Sequence, residues 1–478
     1  MDALIISGSD REVNNMKQTL LIILALFIAV STASAEGNWY TEGNFSPAKR
    51  IEITLVNSLD FDRTDCPIVI TREEMPIKDL HEMWVTIVDP SLPSKPAPSK
   101  EELAFVGGHG LREETNGHQL FYQLDDLDKD GVWDELFFQT DIKANGKKTL
   151  YIYIGFSQRG WNEHGTHATI GSYCRHIIPW WESGHIGWKL WYPTSVDMYG
   201  KRKSVLMAFE MCLNNYCGYQ GVPAINNDYG SDIMRVADSF GAGGIGLFDT
   251  AANTDSLSRP RYTPQDGMKM SPASWNEGQI SDTRYAFEVV VNGPCRSMIK
   301  VKTMNWNTGN GAYEAEQWYT SYTNQSYSTC KVVFPTFQPM EAGAAFACGI
   351  RKNLQQYREY QKGGVVVSMG KDKVSDPDGG DVERGLVVDF IGTAMIVKDV
   401  YNPDYLFVPA YSGNHTFRVP VNESKSYEYM IAGAWEGGAV YNTPDSFENY
   451  VLKTAKEYNN PVGVAFKGID EKAAAEAK

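Results

Sequence analysis

Acids, a base and cations crowd among aromatic rings in TIGSYCRHIIPWWESGHIGWKLWYPTSVDMYGKRK, which runs from Thr169 to Lys203. Glu182, His185, Lys189, Asp197, Tyr199 and Lys201 lie there among tryptophans 180, 181, 188 and 191. A sugar site needs polar groups for hydroxyls and flat apolar rings for sugar faces, and this stretch offers both. As a strand, its alternation places His185, Gly187, Lys189 and Trp191 on one face and Ile186, Trp188 and Leu190 on the other. A plainer reading has the tryptophans filling a sandwich core and the charges solvating its outer face.

Further along, NNDYGSDIMRVADSFGAGGIGLFD sets Asp228, Tyr229 and Asp232 beside glycines 241, 243, 244 and 246. Neither phosphate-loop nor dinucleotide spacing is present, so nucleotide binding has no support, and the glycines suit sharp turns or close passage of backbone past a ligand. Arg259 and Arg261 in SLSRPRYTPQDG, with Arg284 in DTRYAFE, could supply local positive charge for a carboxylated sugar. Histidines 164, 167 and 176 sit in a glycine-containing stretch rather than on a helix, which is weak support for a metal. There is no GxSxG elbow, so serine-hydrolase chemistry is unsupported.

The run LDDLDKDGVWDE offers different chemistry. Asp126, Asp128, Asp130, Gly131 and Asp134 match the first, third, fifth, sixth and ninth positions of an acidic calcium loop, but the position of the bidentate glutamate is Phe137. Three readings stay open: a structural Ca2+ held by Asp126, Asp128, Asp130 and Asp134 with help from Glu135 or a distant group, a hydrogen-bonded acidic turn, and, least favoured, catalytic carboxylates. No cofactor is required for catalysis on any of them.

Elements that must position these residues are β-strands. Aromatics make up 12% of the 478 residues, and 43 Gly with 22 Pro favour short strands and turns over long helices. Runs from IEITLVNSL to KKTLYIYIGF predict a small β-sandwich over residues 36–156, followed by a linker at 157–178. Residues 179–467 predict one large antiparallel body, with FEVVVNGPCRSMIKVK as its clearest hairpin, and 468–478 a tail. DSFENYVLKTAKEY, between Thr443-Pro444 and Asn459-Asn460-Pro461, predicts one C-terminal helix.

A net charge of −15 with no basic tract beyond Lys201-Arg202-Lys203 argues against a nucleic-acid partner. Met16-Lys17, the apolar run LLIILALFIAV and STASAEG form a leader with expected cleavage after Ala35 and translation starting at Met16. The run is short for a spanning helix and no cysteine follows it as a lipid acceptor, so a periplasmic or secreted protein without a membrane anchor is expected. Seven cysteines are scattered and odd in number; most read as buried small hydrophobes.

With LDDLDKDGVWDELFF, WESGHIGWKLWYPTSVDMYGKR and NNDYGSDIMRVADSFGAGGIGLF together, the chain resembles the Bacteroidota domain-of-unknown-function family numbered 4861, over about residues 45–465. The resemblance implies a small N-terminal β-domain joined to a supersandwich of the galactose-mutarotase type and a setting in glycan utilisation. Where it leads one to look for arginines beside the glutamate-bearing strand, this chain has His185 and Lys189, which lack the bidentate fork.

The expected function is therefore that of a lyase or dehydratase working by β-elimination on a uronate-containing oligosaccharide. His185 or Tyr229 would serve as base or acid, Lys201, Arg259 and Arg284 would bind carboxylate, and Asp197 and Asp232 would orient hydroxyls or the base. Lys189, Arg261 and Trp188 complete the expected substrate contacts. The enzyme alternative is a glycoside hydrolase or mutarotase using Glu182 and Asp232; the other is a non-catalytic glycan-binding protein relying on its tryptophans.

Overall fold

The computed structural model describes residues 50–80, 85–93, 118–154, 164–173, 176–191, 195–208, 228–234, 236, 239–250, 257–260, 283–374, 386–409 and 413–467. The leader, Arg261 and cysteines 174, 212 and 217 lie outside them.

Strands β1 (Arg50–Val56), β2 (Arg63–Thr71), β3 (Val85–Asp89), β4 (His118–Leu120), β5 (Tyr122–Asp125), β6 (Glu135–Ile142) and β7 (Lys147–Ile154) build the small domain. Its period is visible in β1, where Ile51, Ile53 and Leu55 are fully buried while their neighbours are not. A five-stranded and a three-stranded sheet enclose these side chains with Ile68, Leu136 and Ile152.

Next come β8 (Thr166–Tyr173), β9 (His176–Ser183), β10 (Ile186–Trp191), β11 (Ser195–Lys201) and β12 (Gly230–Asp232), which form one antiparallel sheet. β13 (Gly244–Phe248) and β14 (Leu257–Ser258) begin a second. The long sheet takes β15 (Arg284–Asn292), β16 (Arg296–Asn307), β17 (Gly311–Tyr322), β18 (Tyr327–Pro339), β20 (Gln355–Lys362), β21 (Val365–Val374), β22 (Leu386–Val397) and β25 (Ser426–Trp435). β19 (Ala345–Arg351), β23 (Asp404–Val408) and β24 (Asn414–Pro420) complete the second sheet.

One core fills the space between the eight-stranded sheet and the two five-stranded sheets, which adjoin through the bridge from Val196 to Gly241. Trp181 stacks on Tyr319 across it at 4.6 Å, and Phe346 lies between Phe334 and Tyr427. This all-β architecture with sandwiched sheets is the expected one. So is the hairpin β15–β16, which turns at Gly293-Pro294 and carries a bulge at Val289/Val291.

The helix α1 (Pro444–Asn459) starts at Thr443, whose side chain and that of Ser446 cap each other's backbone. Phe447, Val451 and Ala455 face one way and pack on Ala394, Ile396 and Met430, the outer face of the long sheet.

Two expected boundaries are corrected. Residues 166–173, expected within a linker, are strand β8: THATIGSY has small polar residues, but its backbone pairs with β9 throughout. The C-terminal end of the large body returns to the small domain, where β26 (Gly463–Phe466) pairs with β1.

Candidate functional site

Pairing register, not chain proximity, assembles the site. Across β8 to β12 the residues His167, Glu182, Gly187, Tyr199 and Asp232 stand opposite one another in a row. The adjacent row holds Trp180, Lys189 and Asp197. Ile186, Trp188, Leu190, Val196 and Met198 point the other way into the large core, so alternation of period two sends the ionisable residues to the opposite face. That face is nevertheless covered: Glu182, Lys189, Asp197, Lys201 and Asp232 are each 5% exposed or less.

Two clusters share this face, and they differ in charge balance. In the first, Lys201 pairs with Glu182 and also donates to the carbonyls of Ser183 and Val205. Glu182 accepts from the amides of Met207 at 3.0 Å and Ala208 at 2.9 Å, with His167 Nδ1 at 3.3 Å. Burial alone would push the Glu182 carboxyl up, but Lys201, His167 and the Met207 amide outweigh it and hold it down at about 2. A Cβ at Gly187 would meet Tyr199 Cβ tightly at 3.3 Å and Lys201 Cε at an ordinary 3.8 Å. One cation meets one anion, with the remaining lone pairs satisfied, so Glu182 and Lys201 have the geometry of a structural pair.

The second cluster is not balanced in this way. Lys189 Nζ lies 3.0 Å from Asp197 Oδ2, 3.9 Å from Asp232 Oδ2 and 2.7 Å from Tyr199 Oη. Tyr199 Oη in turn lies 3.2 Å from Asp232 Oδ2, donating to it. Among the described residues, two buried carboxyl groups thus face one ammonium. Burial, then the charge of Asp197, pushes Asp232 up to about 8, and burial raises Asp197 as well, against Lys189 and the field of Arg351. The Trp180 ring closes the group, 5.0 Å from the Tyr199 ring and 5.2 Å from Lys189 Nζ. Such a chain can take a proton at the phenol oxygen and pass one to Asp232, while the ammonium stabilises negative charge on that oxygen.

Other expected site residues fall elsewhere. His185 precedes β10 in a turn, with Nδ1 3.3 Å from Ser326 Oγ, and burial and then Lys201 lower its pKa to about 4, so it is neutral at neutral pH. Tyr229 is 39% exposed, with the Lys203 ammonium over its ring, and is not part of the buried group. Trp188 is a core residue rather than a substrate contact, with no exposed surface: an even-numbered position on β10 faces the interior. Arg259 is engaged by Ser195 Oγ at 2.9 Å and the Ser239 carbonyl at 2.6 Å and lies over Phe240. Arg284, at the exposed start of β15, lines a 500 Å³ pocket with Trp306, Tyr313 and Glu314 on the long sheet. Of the other expected carboxylate-binding arginines, Arg259 does not line that pocket with Arg284, and Arg261 lies outside the described residues.

Tyr199 and Trp180 are what sequence reasoning passed over in assigning roles. The signal was the spacing of Lys189, Asp197 and Tyr199, which a correct β10–β11 register would have placed on one face.

The acidic run is a loop between β5 and β6 in which Asp126, Asp128 and Asp130 bring ligand atoms within 4.8 Å of one another. Each carboxylate accepts from loop amides: Asp126 from Lys129 and Gly131, Asp128 from Asp130, Asp130 from Val132, and Asp134 from Leu127. Its ends lean on the large body. Arg296 of β16 bonds Asp125 at 2.6 Å and Glu135 at 2.7 Å, and Lys129 reaches the Val290 carbonyl. At the same junction a 680 Å³ cavity opens among His118, Phe121, His164, Gly184, Val205 and Asn324, beside the Lys201 pair.

Fold and site define an all-β protein of sandwiched antiparallel sheets with a buried acid–base cluster on a five-stranded sheet. The chain belongs to the family described as Domain of unknown function (DUF4861), whose model matches residues 55–464. No curated protein matches it. Similar solved structures include a protein in the Glycosyl Hydrolase Family 38 from Enterococcus faecalis, 8% identical with a TM-score of 0.43 over 89% of this chain. An alpha-mannosidase from Enterococcus faecalis V583 is likewise 8% identical, with a TM-score of 0.42 over 89% of this chain. The chain spans 48% and 47% of those two proteins' lengths, and likeness at this level says nothing of reaction or substrate. Among the described residues, no helix is long and apolar enough to cross a membrane.

Proposed function

We propose that the protein is an exported carbohydrate-active enzyme that cleaves a uronate-containing oligosaccharide by β-elimination, with Tyr199 as the proton-abstracting group. One observation carries this reading: the Tyr199 hydroxyl lies between the Lys189 ammonium and the Asp232 carboxyl in a buried group that, among the described residues, sets two carboxyl groups against one ammonium. Burying such a group without full neutralisation is costly to folding, and perturbed titration in a buried cluster marks functional sites. In the reaction, Tyr199 takes the proton next to the sugar carboxylate as its own proton passes to Asp232, which accepts it only when ionised, so the rate rises with pH toward about 8. The carbon–oxygen bond to the leaving sugar breaks as the new double bond forms, and the leaving oxygen takes a proton from water. Lys189 stabilises the charge on the phenol oxygen, Asp197 fixes the ammonium, and the buried Trp180 ring packs against Tyr199 and holds it in place.

Glu182 and Lys201 support the sheet in this account, and His185 and Tyr229 have no step in it. The leader-like segment ending at Ala35 supports export. A hydrolase is the second reading, favoured by Asp232 near 8, which makes it a protonated acid at neutral pH beside Asp197. The products decide. Incubation with oligogalacturonates and other uronate oligosaccharides should raise ultraviolet absorbance from the unsaturated product. New reducing ends without that absorbance would establish hydrolysis and overturn elimination.

A further inference from the structure

A third cavity, of 750 Å³, lies between the small domain and the outer face of the long sheet. Val69 and Leu127 form its small-domain wall, Trp318 and Lys331 its sheet wall, and Tyr458 and Val462 its end near α1. None of the residues assigned to proton transfer lines it.

Strand register arranges its floor. Lys300, Trp318, Lys331 and Glu428 stand opposite one another across β16, β17, β18 and β25. The half-buried Trp318 ring carries the Lys300 ammonium 4.6 Å from its centre, and Lys300 also approaches Glu316 at 3.6 Å. Lys331 is exposed and makes no ion pair among the described residues. Across the row, Glu428 pairs with Lys398, whose ammonium lies over the Tyr458 ring at 4.6 Å. From the small domain, Asp134 and Glu135 face the same space.

We infer that this cavity is a separate saccharide-binding site, taking a di- or trisaccharide stacked on Trp318. Its volume falls in the range of about 300–1,000 Å³ found for ligand pockets, which favour domain junctions, aromatic walls and a few placed polar groups. The mix of walls selects the ligand. An alkyl chain would strip water from Lys331, Asp134 and Glu428 and give nothing back. The charges around the space are mixed, Asp128, Asp134, Glu135, Glu428 and Glu457 against Arg63, Arg296, Lys331 and Lys398, so a phosphate ester meets no excess of positive charge. A sugar ring presents a flat C–H face to the indole and hydroxyls that both donate to the acids and accept from the lysine.

The test uses saturation-transfer NMR on the full chain with the neutral trisaccharides cellotriose, xylotriose and mannotriose as saccharide probes and octanoate as the apolar probe. The wild type and Asp232→Asn should bind at least one saccharide alike. Trp318→Ala and Lys331→Glu should bind it about tenfold more weakly or less, the scale of one lost stacking or charged contact. Lys331→Glu changes only an exposed side chain, so a wild-type melting temperature in that variant separates lost binding from lost fold. The inference is overturned if no saccharide binds the wild type, if octanoate alone binds, if both cavity variants bind as the wild type does, or if binding is lost in Asp232→Asn.

Discussion

The Arg296 guanidinium of the large body and the Asp125 carboxylate of the small domain bond across 2.6 Å, and both are buried. With Glu135 as second acceptor, this contact fastens the acidic loop to the β15–β16 hairpin. Replacing Arg296 with Met leaves Asp125 buried without its cation, so we expect a loss of about 3–5 kcal/mol of stability. Urea unfolding of Arg296→Met checks it; a change below about 1 kcal/mol would mean that the domains are held together by other contacts.

The loop between those anchors should keep its turn without help from an ion. Its carboxylates accept from its own amides, and Gly131 at φ +88°, like Lys129 at φ +66°, lies in the left-handed region that glycine adopts most readily. A chelator is expected to leave the melting temperature unchanged, whereas Gly131→Ala lowers stability by about 1 kcal/mol although its Cβ would meet nothing within 4 Å. A melting temperature that falls on chelation would instead show a bound divalent cation at Asp126, Asp128 and Asp130.

Glu182 and Asp232 should pull the pH dependence of stability in opposite directions. Glu182 is held down from 4.5 to about 2, so its contribution is present above its unfolded value and lost as pH falls through about 2. Asp232 is raised from 3.8 to about 8, so the folded state binds its proton more tightly and stability declines as pH rises through that interval. Urea midpoints from about pH 5 to about pH 9 should therefore fall in the wild type and fall less in Asp232→Asn. Parallel curves would show that Asp232 titrates as an ordinary carboxylate.

Trp188 and Trp180 neighbour Trp181 and each other's strands but serve different ends. Trp188→Ala empties space in the core and should cost about 3–5 kcal/mol, read by thermal unfolding. Trp180 is also buried but packs on Tyr199 and Lys189, so Trp180→Phe should cost only about 1 kcal/mol while lowering kcat by loosening Tyr199, with KM little changed. Equal effects of the two on kcat would return Trp188 to the site.

How much of this could be read from the chain follows from how far each feature reaches. Alternation is local, so the opposite faces of Lys189 and of Ile186, Trp188 and Leu190 were legible, as was the capped helix after Thr443. Which face is covered is not local. Both sides of β10 are buried, and aromatic density alone cannot say that Trp188 fills the core while Trp180 flanks the charges. The meeting of Tyr199 with Asp232 depends on the β11–β12 register, and the engagement of Lys201 by Glu182 on three strands in line with Gly187. The return of Gly463–Phe466 to β1 joins the two ends of the described chain, which no short-range pattern encodes.

The account stands on proton transfer through Tyr199, and one rate measurement reaches it directly. Tyr199→Phe keeps the ring against Trp180 and removes only the hydroxyl held by Lys189 and Asp232. On a uronate oligosaccharide that the wild type converts to unsaturated product, kcat of Tyr199→Phe should fall by about a thousandfold, within the range of a lost acid–base group, with KM little changed. A kcat within about threefold of the wild type would contradict the assignment of the reaction to this residue.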